Sequence, residues 1–405
     1  MKKWRFAYLG TLITALAVGL GLWTPLKKAV AREGPKAPRY RVDPFWPKPL
    51  PVDATQISTT TGKPKPWVTG EVGGTCIDSN DHVFTVNRGF QTGGLISPET
   101  LVGVPSPPVV EYDRDGNVAN AWGSQKTNPD GSNAVMPHSI HGCFVDSQDN
   151  VWIAGNGDGV VQKWSHDGSG KPSGDPLLQI GTKGVCDGPV VATRTTNNTC
   201  GSPGFNSSKT LLNEPADLAV DPTNGDVYIA DGYGNHRVVV FDKDGHFLRQ
   251  WGSSGTGPGQ FSAGGGGHPH CVVISNAGLV YACDRAQDRI EVFKKDGTWL
   301  RDIPVKPGTG TPGLGTAGSA WDLDFSPDKD QTFMFEADGG NEILWTFSRA
   351  TEKILGGFGR PGHLAGEFTF LHTVSVDSKG NLYTGETIGG RRIQRFVKHD
   401  EGDDD

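Results

Sequence analysis

Apolar residues in this chain come in short runs, each closed by a turn signal, and no stretch shows the spacing of a long amphipathic helix. The pattern is clearest over residues 213–293, where two neighbouring segments carry the same signals in the same order. A first apolar run (218–220 and 272–274) leads into a turn. A second (227–230 and 279–283) ends at an Asp, and Asn-His-Arg or Gln-Asp-Arg follows. A third (238–241 and 290–293) ends in Lys-Asp-Gly, a hairpin signal because Gly accepts the positive φ that a tight turn needs. A fourth (247–251 and 299–303) closes the unit. Four short antiparallel strands, repeated, predict the blade of a β-propeller.

Fainter copies flank this pair. The first begins near Gly73 with TCIDSNDHVFTVNRG, is stretched by a loop over 90–108, and ends VVEYDRDGNVANAWG. The second begins at His138, runs through HGCFVDSQDNVWIAG and VVQKWSHDG, and is followed by an insertion reaching Lys209. The fifth holds WDLDFSPDKDQTFMFEAD and NEILWTFS, the sixth LHTVSVDSKGNLYTGE and RRIQRFVK. The residue before each first turn is Asp78, Asp146, Asp221, Ser275, Ser326 and Asp377, and six such markers predict an all-β, six-bladed propeller. The last repeat shows only three strands. Residues 40–50 are expected to supply the fourth, so that both ends of the chain meet in one blade and no sheet edge stays open. The expected layout is a leader at 1–31, a Pro-rich segment at 32–66 carrying the ring-closing strand, the propeller at 67–398, and an acidic tail without fixed structure at 399–405.

Composition agrees with many strands and turns: 58 Gly and 28 Pro in 405 residues. A net charge of -7, with the one basic cluster at the N-terminus, argues against a nucleic-acid surface. That cluster (Lys2, Lys3, Arg5) precedes an apolar run over 6–23 and Ala29-Val30-Ala31, the layout of an export signal with its cleavage site. The run is long and Lys27-Lys28 precede the cut, so an uncleaved anchor is the rival reading, and the only route to a membrane. Either way the body is expected to be secreted or periplasmic, where disulfides persist. Cys186 and Cys200 share one strand-free insertion and are expected to pair. Cys271 and Cys283 lie on adjacent strands, where register decides. Cys76 and Cys143 occupy apolar slots and read as buried free thiols.

The candidate chemistry lies five residues before each marker, at the start of the strand that lines the channel. The residues there are Gly73, His141, Ala216, His270, Trp321 and His372. Histidine stands in the second, fourth and sixth blades, roughly 120° apart in a six-fold ring. Three imidazoles at one depth, with a fourth position open, match a catalytic zinc site; separate channel histidines are the plainer alternative. His138 and His268 are offset from this register and are expected outside the ligand set or at the surface. Arg88 and Tyr233 project from loops after second strands, suited to holding a carboxylate and acting as a base, or to ordinary surface and packing roles.

These segments resemble NHL repeats. Over about residues 68–397 they are similar to the lyase domain of peptidylglycine α-amidating enzymes, peptidyl-α-hydroxyglycine α-amidating lyase. VNRG, HGCFVDSQDNVWIAG, IADGYGNHRVVVFDKDGHF, WGSSGTGPGQFSAGGGGHPHCVVI and FLHTVSVDSKGNLYTGE carry the likeness. The resemblance implies zinc held by His141, His270 and His372, with Arg88 at the substrate carboxylate and Tyr233 as base. It implies cleavage of a small or peptidyl α-hydroxyglycine to an amide and glyoxylate. It also implies a structural calcium, but the family's Asp after the third histidine is Thr373 here, its Met two residues before that histidine is Phe370, and Gly234 replaces a Cys after the tyrosine. Two other readings stand beside the lyase: a non-catalytic propeller that binds a protein or glycan, and a channel-metal hydrolase such as a lactonase, whose calcium would want carboxylates rather than imidazoles.

Overall fold

A computed structural model describes residues 35–90, 94–123, 135–189, 200–201, 204–263, 268–309 and 318–399. The leader over 1–31 and the tail beyond 399 lie outside the described residues. Among those described, no helix is long and apolar enough to cross a membrane.

Six four-stranded antiparallel sheets make a β-propeller. Their inner strands are, in chain order, Val72–Ile77, Ile140–Val145, Asp217–Val220, Val272–Ile274, Asp322–Phe325 and Leu371–Val376. In the first five sheets the strands follow one another outward from the inner strand. The sixth takes three from the C-terminal end, and its outer strand is Arg39–Asp43, paired with Ile393–His399 in the register Arg39↔His399 to Asp43↔Arg395. Val52–Ile57, Pro64–Val68 and Val104–Pro105 form a separate three-stranded sheet, and the loop over 90–108 contains a six-residue helix, Ser97–Val102.

Middle strands such as Val83–Asn87, Val227–Asp231 and Leu382–Glu386 are buried along their whole length, because both faces of each sheet are covered. The apolar core is correspondingly divided into six clusters, one per seam. Phe84, Val86 and Trp122 meet Ile140, Ile153 and Trp164 between the first two sheets. Tyr383 and Ile393 meet Val72, Val83 and Tyr112 between the sixth and the first, with Trp46 packed on them. Fully burying one such side chain contributes about 1.5–3 kcal/mol. The ladders are internal to each sheet, so this burial is what mainly holds neighbouring sheets together.

Arginines at the start of the third strands are structural. Arg237 Nε lies 2.9 Å from Asp231 Oδ2, Arg289 Nη2 lies 3.1 Å from Asp284 Oδ2, and Arg392 Nε lies 2.6 Å from Glu386 Oε1. Each ties the end of a second strand to the start of the third.

Three disulfides are present: Cys76–Cys143, Cys186–Cys200 and Cys271–Cys283. The expectation of free thiols at Cys76 and Cys143 is wrong. The two stand one position out of step on adjacent inner strands, Cys76 two residues before Asp78 and Cys143 three before Asp146; successive side chains of a strand point to opposite faces, so the two thiols meet across the first seam. Bridges in these numbers fit an oxidising compartment.

The Cys76–Cys143 bridge spans 67 residues and Cys186–Cys200 spans 14. By chain entropy the first should contribute about 4 kcal/mol and the second about 3 kcal/mol. Chemical unfolding of C76S/C143S and C186S/C200S should therefore show the larger loss in the first pair. The reverse order would mean that native-state packing, not loop closure, sets their worth.

Candidate metal centre

Each inner strand is held on both sides by a seam, so residues in equivalent positions enter the tunnel at a common level. Contact between strands is close there: a Cβ on Gly142 would stand 2.4 Å from Asp217 Oδ1. At the level set by Gly73, His141, Ala216, His270, Trp321 and His372, the three imidazoles converge. One ring nitrogen from each lies within 4.8 Å of the other two. The ring centroids are 4.6, 4.9 and 5.0 Å apart. The site opens into a tunnel cavity of about 170 Å³ whose walls include Asp217 and Asp322.

Each ring leans on the backbone of the equivalent residue one sheet onward. Nδ1 of His270 is 2.6 Å from the Trp321 carbonyl oxygen, which fixes the proton there and leaves the Nε2 lone pair to face a metal or a hydroxyl. The His141 ring bonds the Ala216 backbone in the same way. The Gly73 backbone approaches His372, whose Nδ1 makes no hydrogen bond of good geometry. Burial pushes all three imidazoles well below the ordinary histidine range, and the charge of Arg285, joined by Arg88 at His141 and His372, adds to it. Neutral imidazole is the form that ligates a metal. Three such donors with one side left open fit a catalytic zinc site.

The Tyr233 hydroxyl touches two of the three, 3.1 Å from Nε2 of His141 and 3.2 Å from Nε2 of His270. Arg88 donates through Nε to the Ile140 carbonyl (2.8 Å) and through Nη1 to Glu71 Oε2 (3.1 Å). The structure thus brings all five expected residues to one end of the tunnel.

Sequence reasoning missed Arg285. Its guanidinium carbon lies 4.2 Å from the Trp321 ring centroid and 5.8 Å from that of Tyr233, to which the side chain also hydrogen-bonds. It is buried, and Nε has no partner. A signal was available: Arg285 is the first residue past the second strand Leu279–Asp284, as Arg88 is past Val83–Asn87. The two stand on the first and fourth sheets, on opposite sides of the triad. Trp321, at the histidine level itself, is the platform on which Arg285 stacks.

His138 and His268 are outside the triad. His138 is exposed. His268 is buried, with Nδ1 3.8 Å from Asp284 Oδ1. Calcium does not fit beside His372. Thr373 brings a hydroxyl instead of a carboxylate and gives it to Asp322 Oδ2 at 2.7 Å. Asp322 also accepts the Val374 and Leu323 amides, so its oxygens are already engaged by the protein.

The NHL repeat family matches residues 212–241. The chain is 27% identical to human NHL repeat-containing protein 3 over 310 residues, 72% of this chain and 73% of that protein. It is 26% identical to peptidyl-alpha-hydroxyglycine alpha-amidating lyase 1 of Drosophila melanogaster over 328 residues, 75% of this chain but 50% of that protein. Virginiamycin B lyase from Staphylococcus aureus superposes over 82% of this chain and 84% of its own, with a TM-score of 0.45 at 11% identity, a likeness too loose to carry an argument.

A histidine whose folded pKa is depressed binds fewer protons than in the unfolded chain, so the stability it contributes is lost as pH falls below about 6.5. For metal-free protein, the stability difference between wild type and His372→Gln should therefore narrow, or turn in the variant's favour, on acidification. The change is at most about 1.4 kcal/mol per pH unit. Denaturant titrations between pH 7 and pH 5 measure this directly, and parallel curves would show that His372 titrates as an exposed histidine does. The subtraction is needed because burial moves carboxyls the other way, Asp322 to about 6 and Asp324 to about 7.

Proposed function

We propose that this protein is an exported, metal-dependent carbon–nitrogen lyase that splits an α-hydroxy-amide into an amide and glyoxylate. The observation that carries the reading is the Tyr233 hydroxyl against two imidazoles of a neutral histidine triad, flanked by two arginines. His141, His270 and His372 would hold zinc, which when bound supplies a Lewis acid that lowers the pKa of a substrate hydroxyl.

The remaining steps belong to the chain. Arg88 and Arg285 approach from opposite sheets and offer guanidinium forks to the substrate carboxylate. Both are positioned on protein: Arg88 by the Ile140 carbonyl and Glu71, Arg285 by the Trp321 ring. Tyr233, ionised to the phenolate, takes the proton of the carbinol hydroxyl. The oxygen's electrons form the carbonyl of glyoxylate as the C–N bond breaks, and the bond pair leaves on nitrogen. Return of the proton from Tyr233 to that nitrogen completes the amide. No water is consumed, and a buried tunnel end is suited to such an elimination. Likeness to the Drosophila lyase supports the same reaction class. The three disulfides support export. No calcium is part of this reading.

The test is glyoxylate release from α-hydroxyhippurate by zinc-loaded enzyme. Tyr233→Phe should lower kcat about 10²–10⁴-fold, the usual worth of a positioned acid–base group. Arg285→Met should act mainly on KM for carboxylate-bearing substrates, with a smaller effect on an ester analogue. Absence of release by wild type, or an undiminished rate in Tyr233→Phe, would overturn the proposal.

A further inference from the structure

At the opposite end of the first inner strand, about 16 Å from the triad's level by strand rise, a second group of metal-type donors meets. Asp78 opens the turn that follows that strand, His82 precedes the next strand, Glu111 lies on Val109–Tyr112, and His166 follows Val160–Trp164 of the second sheet. His82 Nδ1 is 2.6 Å from Glu111 Oε1. His166 Nε2 is 2.9 Å from Asp78 Oδ2 and 4.0 Å from Glu111 Oε1. Donor atoms of Asp78, His82 and Glu111 all lie within 4.8 Å of one another. Four ligands at zinc distances around a tetrahedron would be separated by about 3.3 Å. The paired separations of 2.6, 2.9 and 4.0 Å lie on either side of that value.

The sibling repeats show that this is a departure from the ordinary turn. In every repeat with an Asp marker, one carboxylate oxygen caps the turn; Asp78 Oδ1 accepts the Asn80 and His82 amides at 2.9 and 2.7 Å. The other oxygen elsewhere is answered by a lysine or by neutral donors. Lys163 Nζ is 3.0 Å from Asp146 Oδ2, Lys295 pairs with Asp221, and Asn381 and Tyr383 serve Asp377. In the first repeat the counterpart of Lys163 is Glu111, since Phe84↔Glu111 matches Trp152↔Lys163. The counterpart of Lys295 is His166, and that of Asn150 and Asn381 is His82. Two carboxylates, with side chains 0% and 5% exposed, therefore face each other with no Lys or Arg ion pair among the described residues. The two imidazoles, 37% and 29% exposed, leave a way in from solvent.

We propose that Asp78, His82, Glu111 and His166 form a second divalent-metal site, structural in kind, that clamps the first sheet to the second. Two imidazoles and two carboxylates select a zinc-like cation over calcium or magnesium. Four protein ligands leave no open position for substrate. The clamp would lie two residues from the Cys76–Cys143 bridge and next to the Ser79–Asp149 contacts, which join the same two sheets. The site is independent of the lyase reading.

The test is zinc stoichiometry of the chelator-stripped full chain, titrated against a chromophoric competitor. H166Q/E111Q should bind one equivalent fewer than wild type, and H141Q/H270Q should keep one equivalent that disappears when all four substitutions are combined. H166Q/E111Q should also lose the zinc-dependent rise in Tm that H141Q/H270Q retains. An unchanged stoichiometry in H166Q/E111Q, or no zinc bound by H141Q/H270Q, overturns the proposal. If H166Q/E111Q does not fold, the equivalent held or lost by H141Q/H270Q decides the question alone.

Discussion

Burial of both faces of every sheet is the constraint on which the rest of the molecule depends. A sheet covered on one side only could slide or twist against its single neighbour. Here the six apolar clusters form a cycle, the last of them joining the sixth sheet to the first. Around such a cycle the register of one inner strand restricts all the others, because a one-residue slip would turn apolar side chains toward the wrong seam. Pairing of Arg39–Asp43 with the C-terminal strand closes the restriction with backbone hydrogen bonds, since chain ends far apart in sequence share a ladder.

The triad follows from that restriction with little added machinery. A histidine at one repeat position points down the tunnel wherever it occurs. Placing it in alternate sheets is enough to bring ring nitrogens within 4.8 Å. The ring geometry also supplies the outer contacts: Ala216 and Trp321 offer their backbone to His141 and His270, as Gly73 approaches His372, because they hold the same position one sheet onward. Burial then keeps the imidazoles neutral, the state a cation needs and the state that would otherwise be lost in mild acid.

Much of this was legible from the sequence, and the reasons for the remainder are physical. Strand order, the repeat count and the three histidines depend on local periodicity and on counting back from a marker, and Arg88 and Tyr233 on standing just past a second strand, all of which a sequence displays. The Cys76–Cys143 bridge was not visible because pairing requires side chains from two slots, here one position out of step, to face each other across a seam, and the alternation of apolar residues alone does not say which face each slot presents. Arg285 was passed over because the neighbouring Arg289 suits the ordinary latch, as Arg237 does with Asp231. Two arginines four residues apart differ in role only through where the second strand ends. The helix Ser97–Val102 hid within a stretch whose Gly and Pro content reads as loop.

Repetition itself separates structural residues from functional ones in a fold of this kind. Each repeat solves the same packing problem, so a residue type shared by siblings at one position is explained by the blade, as the turn-capping Asp146, Asp221 and Asp377 are. A residue type that departs from its siblings, at a buried position where the departure costs solvation, needs another cause. Histidine in place of Gly73, Ala216 or Trp321 is one such departure. Arginine in place of Gly232 or Gly339 is a second. Glu111 in place of a lysine, with His82 and His166 turned toward it, is a third. The first two meet at one mouth of the tunnel and the third stands at the far end of an inner strand. On the two readings proposed above, chemistry on a substrate and reinforcement of the ring are kept apart, while the seams that position both remain the same.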